Sequence, residues 1–338
     1  MGTFLTRHRG LVPYLLMAPG LLWLAVFYVY PAVQMFIASF WSGTLETGFR
    51  FSIENWRTYP TALGRYSEQF GRSVLYATAA TILTFLIAYP LAYAIAFRGG
   101  RAKNLLLFLV VAPFFTSFLL RTFAWKIILG DDGIVIGPLK DLGLLSPGFR
   151  LLATPIAVVS GITYNFLPFM TLPIYVSLEK IDRRLVEAAQ DLYAGPWRPG
   201  GTVVGTVVGG GLFGLLGAIF AFDVPLMIAL GAGGGAIVGS AFLSESFARV
   251  TFPLSLPGVF AGTLLVMIPA VGDYVNAALL GNPNTSMIGN VIQTRFLVNN
   301  DYPTASALSF ILMAAILLVV IVYARLLGTE NASVARGL

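Results

Sequence analysis

Six stretches of this chain, near residues 11–41, 73–97, 104–129, 152–178, 256–280 and 305–327, are apolar over lengths that a water-soluble helix does not need. A helix of about 20 largely apolar residues crosses the hydrocarbon core of a bilayer. In that layer backbone N–H and C=O groups find no water, so a spanning segment must pair them internally as a helix or within a closed barrel. The runs are continuous rather than alternating, which selects helices. The predicted fold class is all-α and polytopic, and two shorter Gly-rich stretches, 202–222 and 225–243, add a pair of candidate crossings.

Composition supports the same class. The 338 residues are 57% hydrophobic and 11% charged, and the mean hydropathy is +0.82. A soluble domain carries about 25% charged residues. With no cysteine in the chain, disulfides, thiolate catalysis and Cys-ligated metals are excluded. The net charge of +6 is no signature of nucleic-acid binding, because no polar domain interleaves basic and aromatic residues.

The charge instead orders the topology. Basic residues near helix ends favour the cytoplasm. Arg98, Arg101 and Lys103 lie together without an acidic neighbour, and the loop after the fourth stretch holds Lys180, Arg183, Arg184 and Arg198. Counting alternate sides places these with Arg7, Arg9, Arg249, Arg325 and Arg336 inside. Arg50, Arg57, Arg65, Arg72, Lys140, Arg150 and Arg295 fall on longer outer segments. Both termini are expected in the cytoplasm. Arg7-His8-Arg9 precedes the first apolar run as in a signal peptide, but the run continues to Trp41, so it reads as a retained anchor.

Between the fourth and fifth stretches lies a charged segment, Leu178-Glu-Lys-Ile-Asp182 leading into Glu187-Ala188-Ala189-Gln190-Asp191-Leu192. Much later comes a second piece, Phe247-Ala-Arg-Val250-Thr-Phe-Pro253 to Pro257-Gly258. Glu187 and Asp191, four apart, share one face of a helix, and the small residues there suit close seating on a partner. In this setting the segment resembles the "EAA" coupling loop of ABC importer permeases. Further matches are Pro113 through Arg121 to Trp125, Tyr164-Asn165-Phe-Leu-Pro168, Gly272-Asp273-Tyr274-Val and Leu280 through Gly289-Asn290. Together, in order and nearly from end to end, these resemble the spermidine/putrescine-type permeases, specifically the first of their two permease subunits.

The resemblance implies a type I ABC importer permease fold with six core helices. It implies a heterodimer with a second permease subunit, two ABC ATPase subunits and an external substrate-binding protein, all at a prokaryotic inner membrane. It also implies that Glu187, Ala188, Ala189, Asp191, Leu192, Phe247, Val250, Pro253, Pro257 and Gly258 form the ATPase-coupling loop. No cofactor is expected in this chain; ATP and Mg belong to the partner ATPase. The residues agree that the chain is not itself the motor. A phosphate-binding loop needs a lysine after glycine, and none of Lys103, Lys126, Lys140 and Lys180 follows one. The chain is not expected to be an enzyme.

The sequence departs from the family pattern at Tyr193, where a glycine is usual, and at Phe252, where a leucine is usual. The largest departure is spacing: the family's pattern would put the second half's valine near 203, and it stands at Val250. The intervening 198–246 holds 13 of the 36 glycines, with Gly201, Gly205 and Gly209, and again Gly231, Gly235 and Gly239, at four-residue steps. In lipid, glycine at this spacing lets helix backbones approach closely. With Asp223-Val-Pro225 as the turn, the two arms would be about 30 and 27 Å long. A transmembrane hairpin, giving about eight spans in all, is expected; a re-entrant or interfacial hairpin and a dispensable insertion are the alternatives. The organisation expected is an N-terminal helix with an external loop (1–72), a permease core (73–327) interrupted by this insertion, and a cytoplasmic tail (328–338).

Polar residues within the spans are costly in lipid and are candidates for function. Counted along straight helices, Arg121 and Asp273 lie roughly 24 and 25 Å from the inner ends of theirs, which raises the expectation of a pair at matching depth. Arg121, Trp125, Tyr164, Asn165, Asp273 and Tyr274 are the candidates for the translocation path, with interhelical structural pairing as the competing role. Aromatic faces and a carboxylate suit a polycation. Two alternatives remain: another small solute in the same architecture, and an ion-coupled carrier acting alone.

Overall fold

The computed structural model describes residues 12–143, 145–192 and 247–334. Along the chain it runs α1 (Val12–Leu24), α2 (Tyr30–Ala38), a two-residue antiparallel pair β1 (Trp41–Ser42) and β2 (Arg50–Phe51), then α3 (Thr58–Arg65), α4 (Ser67–Tyr93), α5 (Lys103–Val111), α6 (Phe118–Ile128) and α7 (Ile136–Asp141). There follow α8 (Pro155–Glu179), α9 (Arg183–Leu192), α10 (Phe252–Val271), α11 (Val275–Leu280), α12 (Ile288–Gln293) and α13 (Tyr302–Val334). Five of the described helices are long and apolar enough to cross a membrane, and six if the bent pair α5–α6 is one crossing. The expected Gly-rich hairpin at 198–246 and the residue Tyr193 lie outside the described residues.

Two compact units result, Met1–Glu68 with Val291–Leu338, and Gln69–Asn290. In the first, α13 packs on α3 and α2, with Phe310 edge-on to Phe36 at 5.3 Å. In the same unit the Arg295 guanidinium donates to the Tyr66 hydroxyl at 2.5 Å and pairs with Asp301 at 3.3 Å.

The second unit is built on the crossing of α8 and α10. Its core joins Ala88 and Tyr89 of α4 to Met170 and Ile174 of α8 and Val259 and Val266 of α10. Small side chains on α4, among them Ala77, Ala80, Ala88 and Ala92, are fully buried, as expected where lipid offers no hydrophobic drive and close packing does the work. Gly258 makes the α8–α10 approach possible: a Cβ there would lie 2.4 Å from the Pro173 carbonyl oxygen. The Tyr89 hydroxyl and Ser255 Oγ, 2.8 Å apart and buried, satisfy one another across α4 and α10.

Two expected spans are corrected. The stretch 104–129 is not one straight helix, because α5 and α6 meet at 95°. Pro113 cannot donate to the ladder; a 3-10 turn covers Ala112–Phe115, and Thr116 and Ser117 then take extended backbone, with ψ of 153° and 140°. The stretch 256–280 is displaced: the helical span begins at Phe247, ends at Val271, and breaks at Gly272 before the short α11. Pro253 and Pro257, from the second piece of the motif, stand within this helical run just after the π turn Phe247–Thr251; in membrane helices neighbouring helices and local π adjustments re-satisfy the groups that a proline frees. Depths counted along straight helices therefore hold for neither Arg121 nor Asp273.

Candidate functional site

Two places in the second unit collect the functional candidates. The first is a buried polar junction of α6, α8 and α11. Asp273 follows the break after α10, and its carboxylate caps α11, accepting from the Asn276 backbone N–H at 3.0 Å and from Asn276 Nδ2 at 2.5 Å. Because that carboxylate accepts only, it fixes the Asn276 amide with Oδ1 turned away. Asn276 Oδ1 accepts from Asn165 Nδ2 at 3.1 Å, and the same Nδ2 donates to Thr122 Oγ1 at 3.2 Å. Thr122, Asn165, Asp273 and Asn276 are all buried. Gly161 admits α11 beside α8, since a Cβ there would lie 2.7 Å from Asn276 Oδ1. Gly289 likewise brings α12 against the Gly272 carbonyl.

Arg121 and Asp273 do not form an ion pair. The Arg121 guanidinium lies over the Phe114 ring, 4.2 Å from its centroid, on the opposite limb of the α5–α6 bend. It is 9% exposed, and its Nε and Nη1 have no hydrogen-bond partner, nor has Asn165 Oδ1. Trp125 and Tyr164 pack edge to face at 5.4 Å and are half-buried. Tyr274 is exposed, and its carbonyl accepts from Asn290 Nδ2 at 2.8 Å. Thr122 and Asn276 were not singled out from sequence. The available signal was their placement, one residue after Arg121 and three after Asp273.

The second place is α9. Asp182 starts it by accepting from the Arg184 N–H at 2.9 Å. Ile181 and Val186 join the core cluster, packed with Phe247 and Phe252, and α9 touches the Phe247–Thr251 turn. The two halves of the sequence motif, separated at 192 and 247, thus meet in space. Glu187, Ala188, Asp191 and Leu192 are exposed. Ala189 is a correction: expected at the surface, it is buried at 4%, since it lies one turn from Val186 on the inward face. Leu185, not singled out from sequence, is exposed and shares the outward face with Ala188 and Leu192. Phe247 and Val250 are half-buried, Pro253 and Pro257 exposed, and Gly258 buried within α10. A Lys103–Glu179 ion pair joins the start of α5 to the end of α8 just before α9.

No protein-family model matches the chain. The spermidine/putrescine transport system permease protein PotB of Haemophilus influenzae is 34% identical over 305 residues, 90% of each chain. PotB of Escherichia coli is 31% identical over 90% of this chain and 93% of its own. The inner membrane ABC transporter permease protein YdcU of Escherichia coli is 23% identical over 91% and 87%. Among solved structures, a chain of a bacterial alginate ABC transporter, crystallised with an alginate pentasaccharide-bound periplasmic protein, matches with a TM-score of 0.55 at 16% identity, covering 96% of this chain and 95% of its own. That likeness concerns the fold alone.

Proposed function

This chain belongs to the spermidine/putrescine-type permeases of ABC importers, and we propose that it is the first of the two permease subunits of a polyamine importer in a prokaryotic inner membrane. The identity of 34% over nine-tenths of both chains carries this reading. Its partners are a second permease subunit, two ATPase subunits that bind ATP and Mg, and an external substrate-binding protein. The outward face of α9, with Glu187 and Asp191 beside exposed Leu185 and Leu192, is the ATPase docking surface. The buried inward face of α9 ties that surface to the transmembrane core. Half-buried Trp125 and Tyr164 with exposed Tyr274 offer aromatic faces to a polycation. Both termini face the cytoplasm, and 198–246 is a membrane hairpin with its turn at Asp223 outside.

The test is to purify the tagged chain with its bound subunits, identify them, and measure uptake in proteoliposomes. Spermidine uptake that requires ATP inside and the binding protein outside is expected, and Glu187→Lys should weaken ATPase assembly or uncouple hydrolysis from uptake. Uptake driven by an ion gradient without any ATPase would overturn the reading.

A further inference from the structure

Two side-chain hydrogen bonds of the polar junction run in series toward Asp273. Asn276 Nδ2 donates to Asp273, and Asn165 Nδ2 donates to Asn276 Oδ1. The next acceptor in the series, Asn165 Oδ1, is buried and empty, and the donors Nε and Nη1 of Arg121 are buried and empty as well. Arg121 adjoins Thr122, which holds Asn165. It also lies one helical turn before Trp125, which packs on Tyr164, the neighbour of Asn165. A buried donor and a buried acceptor left unpaired each carry a desolvation penalty that pairing removes. Rotation of the Asn165 amide cannot relieve it, because both hydrogens of Nδ2 are already used on Thr122 and Asn276.

We propose that Arg121 closes onto Asn165 in a second state of the protein, completing a one-way hydrogen-bond chain from the Arg121 guanidinium through Asn165 and Asn276 to the Asp273 carboxylate. In the state described here, the Phe114 ring compensates the guanidinium in part by cation–π attraction. Phe114 and Arg121 sit on opposite limbs of the 95° bend, so exchanging the ring for Asn165 changes what holds that bend. Thr116 and Ser117, extended between the limbs, are the residues able to absorb the movement. The closed chain would lock α6 to α8 and α11 with a cation at one end and an anion at the other, and neither charge would need to touch its opposite.

The inference rests on reading the chain as a permease that alternates between states. Its test uses the assembled transporter in lipid nanodiscs, with this chain free of native cysteine and any cysteine of the partner subunits replaced. Spin labels at Leu120→Cys on α6 and Val176→Cys on α8, both exposed, report the α6–α8 separation by double electron–electron resonance. Spectra are taken without nucleotide and with ATP under conditions that block hydrolysis. Two separations are expected, with proportions that change with nucleotide. Asn165→Leu, which removes the acceptor, should move the proportions about tenfold away from the closed form. Arg121→Met should do the same while leaving the bonds of Asn165 to Thr122 and Asn276, and so covers the case in which the leucine variant fails to assemble. Ser160→Ala, which removes from α8 a hydroxyl that bonds the Ala157 carbonyl outside this junction, should keep the wild-type proportions. One separation in every nucleotide state, or equal proportions in wild type and both linking variants, overturns the proposal. A complex that switches as expected but does not transport polyamines refutes the substrate reading and leaves this one standing.

Discussion

Gly258 gives the sharpest test of how the second unit is held together. It sits in α10 where that helix crosses α8. A methyl group there would lie 2.4 Å from the Pro173 carbonyl oxygen and 2.7 Å from both Cβ and Oγ of Ser177. Ordinary contact begins at 3.4 Å, and the Pro173 carbonyl is backbone that cannot rotate aside. Gly258→Ala must therefore part the helices by about 1 Å, an overpacking that costs roughly 1–3 kcal/mol. Gly71 in α4 is the control, since a Cβ there meets nothing within 4 Å and alanine gains about 0.5–1 kcal/mol over glycine inside a helix. Two glycine-to-alanine changes in one unit should thus differ in sign. The assay is reversible unfolding of the purified protein in mixed micelles with increasing SDS, followed by tryptophan fluorescence. If Gly258 served ATPase docking instead, as the sequence motif suggests, its unfolding curve would match wild type while co-purified ATPase fell. An unfolding free energy for Gly258→Ala equal to or above wild type refutes the packing argument.

The two faces of α9 should separate in the same assays. Leu192→Asp, at a position 80% exposed, should lower co-purified ATPase without moving the unfolding curve, whereas Ala189→Leu, at a buried position, should cost roughly 1–3 kcal/mol of stability by overpacking; matching behaviour of the two variants would contradict the assignment of faces. For the insertion, a cysteine at Asp223 should react with an impermeant thiol reagent from outside, and cysteines at Arg198 or Glu245 should not. Labelling of position 223 from the cytoplasm alone would favour the re-entrant or interfacial hairpin.

The spans were legible because a run of apolar residues long enough to cross lipid has few other uses. Their breaks were not. The bend at Thr116–Ser117 depends on which carbonyls Pro113 leaves free and on what packs beneath them, and the apolar run passes through it unchanged. Pro253 and Pro257 bear the other way: in water they would punctuate a loop, but they lie inside the helical run Phe247–Val271, just after a π turn, and membrane helices tolerate proline where π adjustments and neighbouring helices re-satisfy the freed groups. The motif around Glu187 announced a short surface helix, and the 3.6-residue period that joins Val186 to Ala189 contained the inward face, hidden by attention to alanine as a surface residue. Asn165 and Asp273 were visible singly as polar residues within apolar runs. Their partners were not, since the bond from Asn165 to Asn276 links residues 111 apart in sequence, and nothing in a single chain's composition records it.

The two candidate places are joined by one helix. Asn165 and Glu179 both belong to α8, about 21 Å apart along its axis at 1.5 Å per residue, and α9 follows Glu179 after three residues. The bent pair α5–α6 is fastened to α8 near both of these points, by Lys103 to Glu179 at one and by Thr122 to Asn165 at the other. The two fastenings differ in strength. The first is a partly exposed ion pair, of the kind worth about 0–1 kcal/mol. The second is buried, where leaving a partner unpaired costs about 1–3 kcal/mol. A displacement of α9 is therefore resisted little at the Lys103 end and much more at the Asn165 end, so strain passed along α8 collects at the polar junction, beside the two Arg121 nitrogens and the Asn165 oxygen that lack partners among the described residues.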